Sequence, residues 1–283
     1  MTLTQALSAD HYEEVVIASA VDPEVATQRG YRTLSGTDEE RAELKAYGYK
    51  PGLVENDETY PALLIPMHGM TGEERGVQIK PNVPRVRTKS DGTPSPIKYE
   101  SAPGAPLVVD VPAFTREALQ TEGTALWITE GMKKTDSLVS QGLAAVGLTG
   151  VFNWRNKMGT LGDWEDVPIK GRPAVVCFDA DAHGNRNVQL AMARLGAWLK
   201  SRGATAVNYL VVPAEVEGTP VKGVDDFFAA GGDVATLAAA ATQVPPGGGA
   251  ADASFADAYL VEEVVSGSLE GRFCWSSGLG WMK

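Results

Sequence analysis

The sequence predicts an α/β fold: a compact four-stranded parallel sheet flanked by helices, preceded by a small α+β subdomain. Three observations carry this. Residues 125–129, 143–148, 174–178 and 206–212 are continuous apolar runs of strand length, as expected of strands buried on both faces. Helix-like segments separate them, so the strands join by right-handed parallel crossovers. Two of the runs end in acidic residues, Glu130-Gly131 after the first and Asp179-Ala180-Asp181 after the third. Open parallel sheets bind ligands outside the carboxyl ends of their strands, so these carboxylates converge on one crevice.

The totals fit such a fold. The 283 residues suffice for one large domain or two smaller ones. The hydrophobic share of 43% and charged share of 22% are those of a globular protein. A net charge of −11 announces no nucleic-acid binder globally, yet binding depends on local patches rather than on the total. Cys177 and Cys274 lie far apart and read as reduced thiols. His11, His68 and His183 are too scattered for a zinc site. With no signal peptide and no run of 18 apolar residues, the expectation is a soluble, cytoplasmic protein with no membrane partner.

Residues 1–58 read as a helical N-terminal region. Ser8 or Asp10 can cap a helix running to about Ala20, and Asp22-Pro23 is a cap followed by a first-turn proline. That second helix stops near Gly30. A third starts at Thr37 or Asp38 and ends at Gly48.

Residues 59–123 form a small β-rich basic subdomain, with strands at 61–67, 76–80 and around Ile97-Lys98-Tyr99. Arg75, Lys80, Arg85, Arg87, Lys89 and Lys98 give six cations, with Asp91 the one acidic residue between Arg75 and Lys98. Such a surplus is a candidate phosphate-contacting surface. It is equally what a solvated hairpin with charged, aggregation-resistant edges would show.

Residues 124–243 form the α/β domain. After Glu130-Gly131 a helix covers 132–141 and closes at Gly142. A connection rich in Trp and Asn spans 151–171, and an amphipathic helix runs from about Asn187 to Arg202, ended by Gly203. The last strand leads through Lys222-Gly223-Val224-Asp225-Asp226 to a short helix stopped by Gly231-Gly232, and an alanine-rich helix follows from Asp233. Residues 244–253, with Pro245-Pro246-Gly247-Gly248-Gly249, are a linker. Residues 254–283 read as a helix followed by an aromatic, strand-like stretch without a closing partner, the opening of a further domain.

The acidic cluster sets the chemistry. Carboxylates brought together repel one another, so one takes up a proton or the group shares a cation. Mg²⁺, with Mn²⁺ as an alternative, is the hard ion suited to a few carboxylates plus water or phosphate oxygens. Asp179 and Asp181 are the candidate metal ligands, with Asp225 and Asp226 completing or tuning the site. Glu130, on a different strand, is the candidate general base. Lys133 and Lys134, just inside the next helix, can reach phosphate or remain solvated surface. His183 reads as a turn residue.

At these residues the chain resembles the Toprim family, the catalytic domain of bacterial-type primases, topoisomerases and some nucleases. Thr129-Glu130-Gly131 is similar to the family's glutamate motif, and Asp179-Ala180-Asp181-Ala182-His183-Gly184 to its Asp-x-Asp motif. Lys222-Gly223-Val224-Asp225-Asp226-Phe227-Phe228 is similar to the Lys-Asp-Pro-Asp-Glu-Tyr-Leu stretch of bacterial primases. Pro96-Ile97-Lys98-Tyr99-Glu100-Ser101-Ala102-Pro103 is similar to their Pro-Lys-Tyr-x-Asn-Ser-Pro segment. The stretch from Gly271 to Trp281 matches the lead-in to a helicase in phage and plasmid primase-helicases. The chain departs from the primase pattern in three ways. Primases carry Asp a few residues after the Glu-Gly, whereas Met132-Lys133-Lys134-Thr135 precede Asp136 here. Gly223 stands where the primase stretch has Asp, and no Cys/His zinc module precedes the domain.

The resemblance implies Mg²⁺-dependent nucleotidyl transfer on single-stranded DNA, as the primase module of a phage or plasmid replication protein. In that reading Glu130 is the acid/base and Asp179, Asp181 and Asp225 handle metal. Lys98 and the cations around Arg85, with Lys80, Arg87, Lys133 and Lys134, hold template or nucleoside triphosphate phosphates. A replicative helicase, in cis or in trans, is the implied partner. Two alternatives stand beside it: a Mg²⁺-dependent nuclease or strand-transfer enzyme on the same scaffold, and a non-catalytic nucleic-acid or helicase-docking module. There is no Gly-x-x-x-x-Gly-Lys-Ser/Thr phosphate loop for an ATPase.

Overall fold

The computed structural model describes residues 2–88, 92–248, 274–276 and 280–282, the last two segments and Asp181 by backbone alone. The predicted helix at 254 and following residues, along with Lys89, lies outside the described residues.

The chain opens with α1 (Leu3–Ala6) and α2 (Ala9–Tyr12), the latter capped by Ser8 and continued by a π-helical turn, Glu13–Ile17. Helix α3 (Pro23–Arg29) follows its Asp22 cap and ends on Gly30 in the left-handed conformation, as its sequence signals require. Strand β1 (Arg32–Leu34) then interrupts the helical region that the sequence predicts for residues 1–58. Three residues are too few for a periodicity signal, and β1 is held by pairing with a distant strand. Helix α4 (Asp38–Ala46) has a capping box in which Glu40 reaches back to the backbone N–H of Thr37. A short α5 (Pro51–Val54) follows.

Strands β2 (Ala62–His68) and β3 (Glu74–Lys80) form an antiparallel hairpin. Next comes a separate exposed ribbon, β4 (Arg85–Thr88) with β5 (Pro94–Ile97). Strand β6 (Glu100–Ser101) rejoins the first sheet, whose order is β1-β2-β3-β6.

The second sheet contains the predicted α/β unit. Strand β7 (Val109–Asp110) and α6 (Ala113–Ala118) lead to β8 (Leu126–Glu130), α7 (Met132–Ser140) and β9 (Ala144–Leu148). The connection after β9 holds a two-residue ribbon, β10 (Arg155–Asn156) and β11 (Gly159–Thr160). Its Trp154 and Trp164 pack against Trp198 with ring centroids 5.5 and 5.1 Å away. Then come β12 (Pro173–Phe178), α8 (Arg186–Ser201), β13 (Ala206–Val211), a ribbon β14 (Glu215–Val216) and β15 (Thr219–Pro220), α9 (Val224–Ala229) and α10 (Val234–Ala239). Two further strands, β16 (Cys274–Ser276) and β17 (Gly280–Met282), pair with each other, so the aromatic stretch predicted to lack a partner closes on itself.

The order of the second sheet is β13-β12-β8-β9-β7. Its first four strands are mutually parallel, as predicted, and β7 adds a fifth, antiparallel to β9. The four-stranded prediction is therefore one strand short, because two residues carry no readable strand signal. Side chains alternate strictly between two apolar layers. Leu126, Ile128, Val176 and Phe178 join α8 and the tryptophans on one face. Trp127, Val175, Cys177 and Leu210 join α7, α9 and the N-terminal helices on the other. This alternation is the physical content of the continuous apolar runs: both faces of each strand are covered. No helix among the described residues is long and apolar enough to cross a membrane.

Candidate functional site

Parallel pairing puts the ends of β8 and β12 side by side. Val176 pairs with Ile128, and extending that register two residues sets Phe178 beside Glu130 and Asp179 just beyond it. The turn after Glu130 needs backbone at φ +90°, which Gly131 supplies without the penalty a side chain would meet. Gly131 N–H donates to Leu148 O at 2.8 Å, and the Thr135 hydroxyl donates to Gly131 O at 3.0 Å. Ala180 N–H donates to Lys222 O at 2.9 Å and so ties the aspartate loop to the one that starts α9. The three stretches singled out from sequence thus meet at one sheet edge.

The electrostatics there are mixed. Lys134 Nζ donates to Asp179 Oδ1 at 2.5 Å, and Lys222 Nζ stands 3.9 Å from Asp179 Oδ2. Burial pushes the Lys134 ammonium down, but Asp179, by charge and hydrogen bond, with Asp225 and Glu130, raises it above the usual lysine range. Lys134 therefore stays charged among the carboxylates. Asp225 is 8% exposed, and burial raises its carboxyl above the ordinary aspartate range against the opposing pull of Lys134. Asp226 is exposed, and its Oδ2 accepts from the backbone N–H groups of Lys222 and Gly223, both at 3.1 Å, bracing the start of α9. A Cβ at Gly223 would stand 2.5 Å from Asp225 Oδ1 and 2.7 Å from Lys134 Cε. The lysine stem thus fills the space that the primase-like aspartate would need. Asp181 sits in the single turn Ala180–His183, where His183 is exposed.

Among the described residues, no three His, Cys, Asp or Glu side chains are arranged as a metal cage. Asp179 is turned to Lys134, and Asp226 to the backbone. The donor set still suits a hard divalent cation: Glu130, Asp179 and Asp225 offer carboxylate oxygens. Asp225 in particular is a buried carboxyl pushed toward protonation, which an adjacent cation would return to its anionic form.

Apart from Lys134, which pairs with Asp179, the predicted phosphate-binding cations divide into two groups. Lys80 and Lys133 converge on Glu14, at 2.5 Å to Oε2 and 2.8 Å to Oε1. Tyr99 lies close enough to Lys133 for the two to interact electrostatically. Arg85 is held by both oxygens of Glu100, at 2.7 Å each, while Arg87 and Lys98 are exposed on or beside the β4-β5 ribbon. Sequence reasoning did not single out Glu14, Tyr99 or Lys222 as site residues. Tyr99 and Lys222 lie inside the quoted motifs, but Glu14 is an ordinary helix-surface glutamate in sequence, and no local signal distinguishes it.

Residues 114–235, from α6 to the start of α10, match a family described as a domain of unknown function (DUF3854). No curated protein matches the chain. Among solved structures, the Aquifex aeolicus primase (zinc binding and RNA polymerase domains) is similar at TM-score 0.50 and 17% identity, over 83% of this chain and 56% of that one. The E. coli primase catalytic core gives 0.49 and 16%, over 84% and 73%. The RNA polymerase domain of the Mycobacterium tuberculosis primase DnaG gives 0.47 and 17%, over 83% and 77%. The chain thus spans just over half the length of the Aquifex chain it matches. The likeness to the Aquifex primase shows the fold: a mixed α/β architecture similar to a bacterial primase core.

Proposed function

We propose that the edge formed by Glu130, Asp179 and Asp225 is a Toprim-type nucleotidyl-transfer site, and that the chain is the primase module of a phage or plasmid replication protein. The observation that supports this reading is that the ends of β8 and β12 are neighbours and the loop after β12 is hydrogen-bonded to the one that starts α9, on a primase-like fold. Asp179, Asp181 and Asp225 would hold Mg²⁺ or Mn²⁺, with Asp226 bracing the loop that carries Asp225. A cation bound there would polarise a phosphoryl oxygen and orient the attacking hydroxyl. Glu130, half-buried and beside Lys134, is suited to accept that hydroxyl's proton as general base. Lys133 and Lys134 sit where phosphate charge would collect, and the exposed Arg87 and Lys98 would follow the backbone of a single-stranded template. Single-stranded DNA and nucleoside triphosphates are then the substrates, with a helicase as partner and the cytoplasm of a bacterial or phage-infected cell as the setting.

Primer synthesis on single-stranded DNA, with and without Mg²⁺, tests the reading. Glu130→Gln should lower incorporation by roughly 10²–10⁴-fold, the usual range for loss of acid–base catalysis, and Asp179→Asn should lower it by removing a metal ligand. Incorporation unchanged by both substitutions overturns it. The Lys134–Asp179 contact favours one second reading, in which the cluster is internally neutralised and the chain only docks on nucleic acid. Strand binding without incorporation in Mg²⁺ or Mn²⁺ would mark that outcome.

A further inference from the structure

A second charge cluster lies on the same side of α7, with different chemistry. Its carboxylate, Glu14, bridges two ammonium groups from different elements, Lys80 at the end of β3 and Lys133 in the first turn of α7. Each carboxylate oxygen serves one lysine, as two oxygens of a phosphoryl group would. Among the described residues, Glu14 is the one carboxylate in direct contact with both lysines, while Asp225 acts on Lys133 from farther off. The cluster is open to solvent, since the Lys80 and Glu14 side chains keep 31% and 20% of their exposure. Glu14 sits in the π-helical turn, an arrangement frequent at functional sites. The neighbouring Val15 is fully buried and anchors that turn, so the Glu14 side chain can swing away without unseating the helix.

We propose that Lys80 and Lys133 form a phosphate-binding subsite, and that Glu14 occupies it as an internal ligand which an incoming phosphoryl group displaces. This deepens the nucleotidyl-transfer reading by adding a control element, and it rests on that reading only for where the phosphate comes from. A nucleoside triphosphate and the phosphodiester backbone of a template offer the same oxygens. Both must compete with Glu14, so the resting protein holds phosphate more weakly than its lysines alone would allow.

Direct binding measurements on the full chain, without divalent metal and at low salt, decide the matter. The probes are inorganic tripolyphosphate, a nucleoside triphosphate and an oligothymidine. Glu14→Gln should tighten binding of at least one probe by roughly fivefold, the scale of a partly exposed ion pair, and the gain should shrink with added salt. Lys133→Gln placed on Glu14→Gln should abolish that gain. Tightening confined to tripolyphosphate and the nucleotide identifies the triphosphate as the displacing group. Tightening confined to the oligothymidine identifies the template. Unchanged or weaker binding of all three probes in a folded Glu14→Gln protein overturns the proposal. Should Glu14→Gln fail to fold, Glu14→Asp decides in its stead, being too short to bridge both lysines: no tightening there is equally fatal. If the binding switch is present and primer synthesis is absent, the catalytic reading fails while this one stands.

Discussion

Helix α7 carries two charged regions of opposite design. On its inner side Asp136 is fully buried with Arg29, whose Nε and terminal nitrogens grip both carboxylate oxygens at 2.7 and 2.6 Å. The same guanidinium reaches Asp110 at 2.6 Å and Pro66 O at 3.1 Å, and the Tyr31 hydroxyl donates to Asp136. Burial opposes the Arg29 charge, but Asp110 and Asp136 outweigh it and hold its pKa well above the usual arginine value. On the outer side Lys134 is half-buried and donates to Asp179, with Asp225 buried nearby. Residues two apart on a helix face different sides, so two positions separate a structural clamp from a chemical site. The clamp is fully buried and multiply bonded, whereas the cleft is partly open to solvent.

Breaking the clamp should have the largest effect. Arg29→Met leaves two carboxylates buried without a cation and should cost about 3–5 kcal/mol in a denaturant titration. A loss under about 1 kcal/mol would mean that the clamp is no more fixed than the cleft. Gly223→Ala comes next. Its backbone φ of −112° suits any residue, but the added methyl must push aside Lys134 and Asp225. About 1–2 kcal/mol is expected from that overpacking. Asp226→Ala removes the brace at the start of α9 and should cost about 1 kcal/mol. Lys134→Met should change stability by less than about 1 kcal/mol, because its pair is partly exposed. Its larger consequence should be tighter divalent-cation binding, read by calorimetry with Mn²⁺.

The smallest effect concerns pH. Burial, with Arg29 next, depresses the His68 imidazole, and burial chiefly depresses that of His11. A depressed histidine binds its proton less readily when folded than when unfolded. Its contribution is therefore present above the ordinary histidine range, near 6.5, and lost as pH falls through it. Denaturation midpoints should drop between pH 7.5 and 5.5, and His68→Gln should flatten part of that drop.

How much of this the sequence discloses depends on the range of each signal. Strands β8 and β12 and the turn at Gly131 are legible because apolar runs and glycine punctuation are local. The meeting of Glu130 with Asp179 follows from the parallel register those runs imply. Strand β4 is illegible because its residues are all exposed, and β7 because it has only two. Arg29 and Asp136 lie 107 residues apart, and Glu14 and Lys133 lie 119 apart. No spacing rule connects charges at such distances, so both partnerships need the fold to bring them together.

The close approach of Lys134 to Gly223 has a consequence for redesign. The two positions share one volume, so a side chain added at 223 needs the lysine stem gone. Removing the lysine alone leaves a void beside the exposed edge. An engineer seeking an aspartate at 223 would have to alter both residues at once. A single-site scan would score a side chain at 223 as harmful and miss the pair. The route between the lysine form of this site and an aspartate-rich one is a correlated double step, and a combinatorial library at 134 and 223 is the way to walk it.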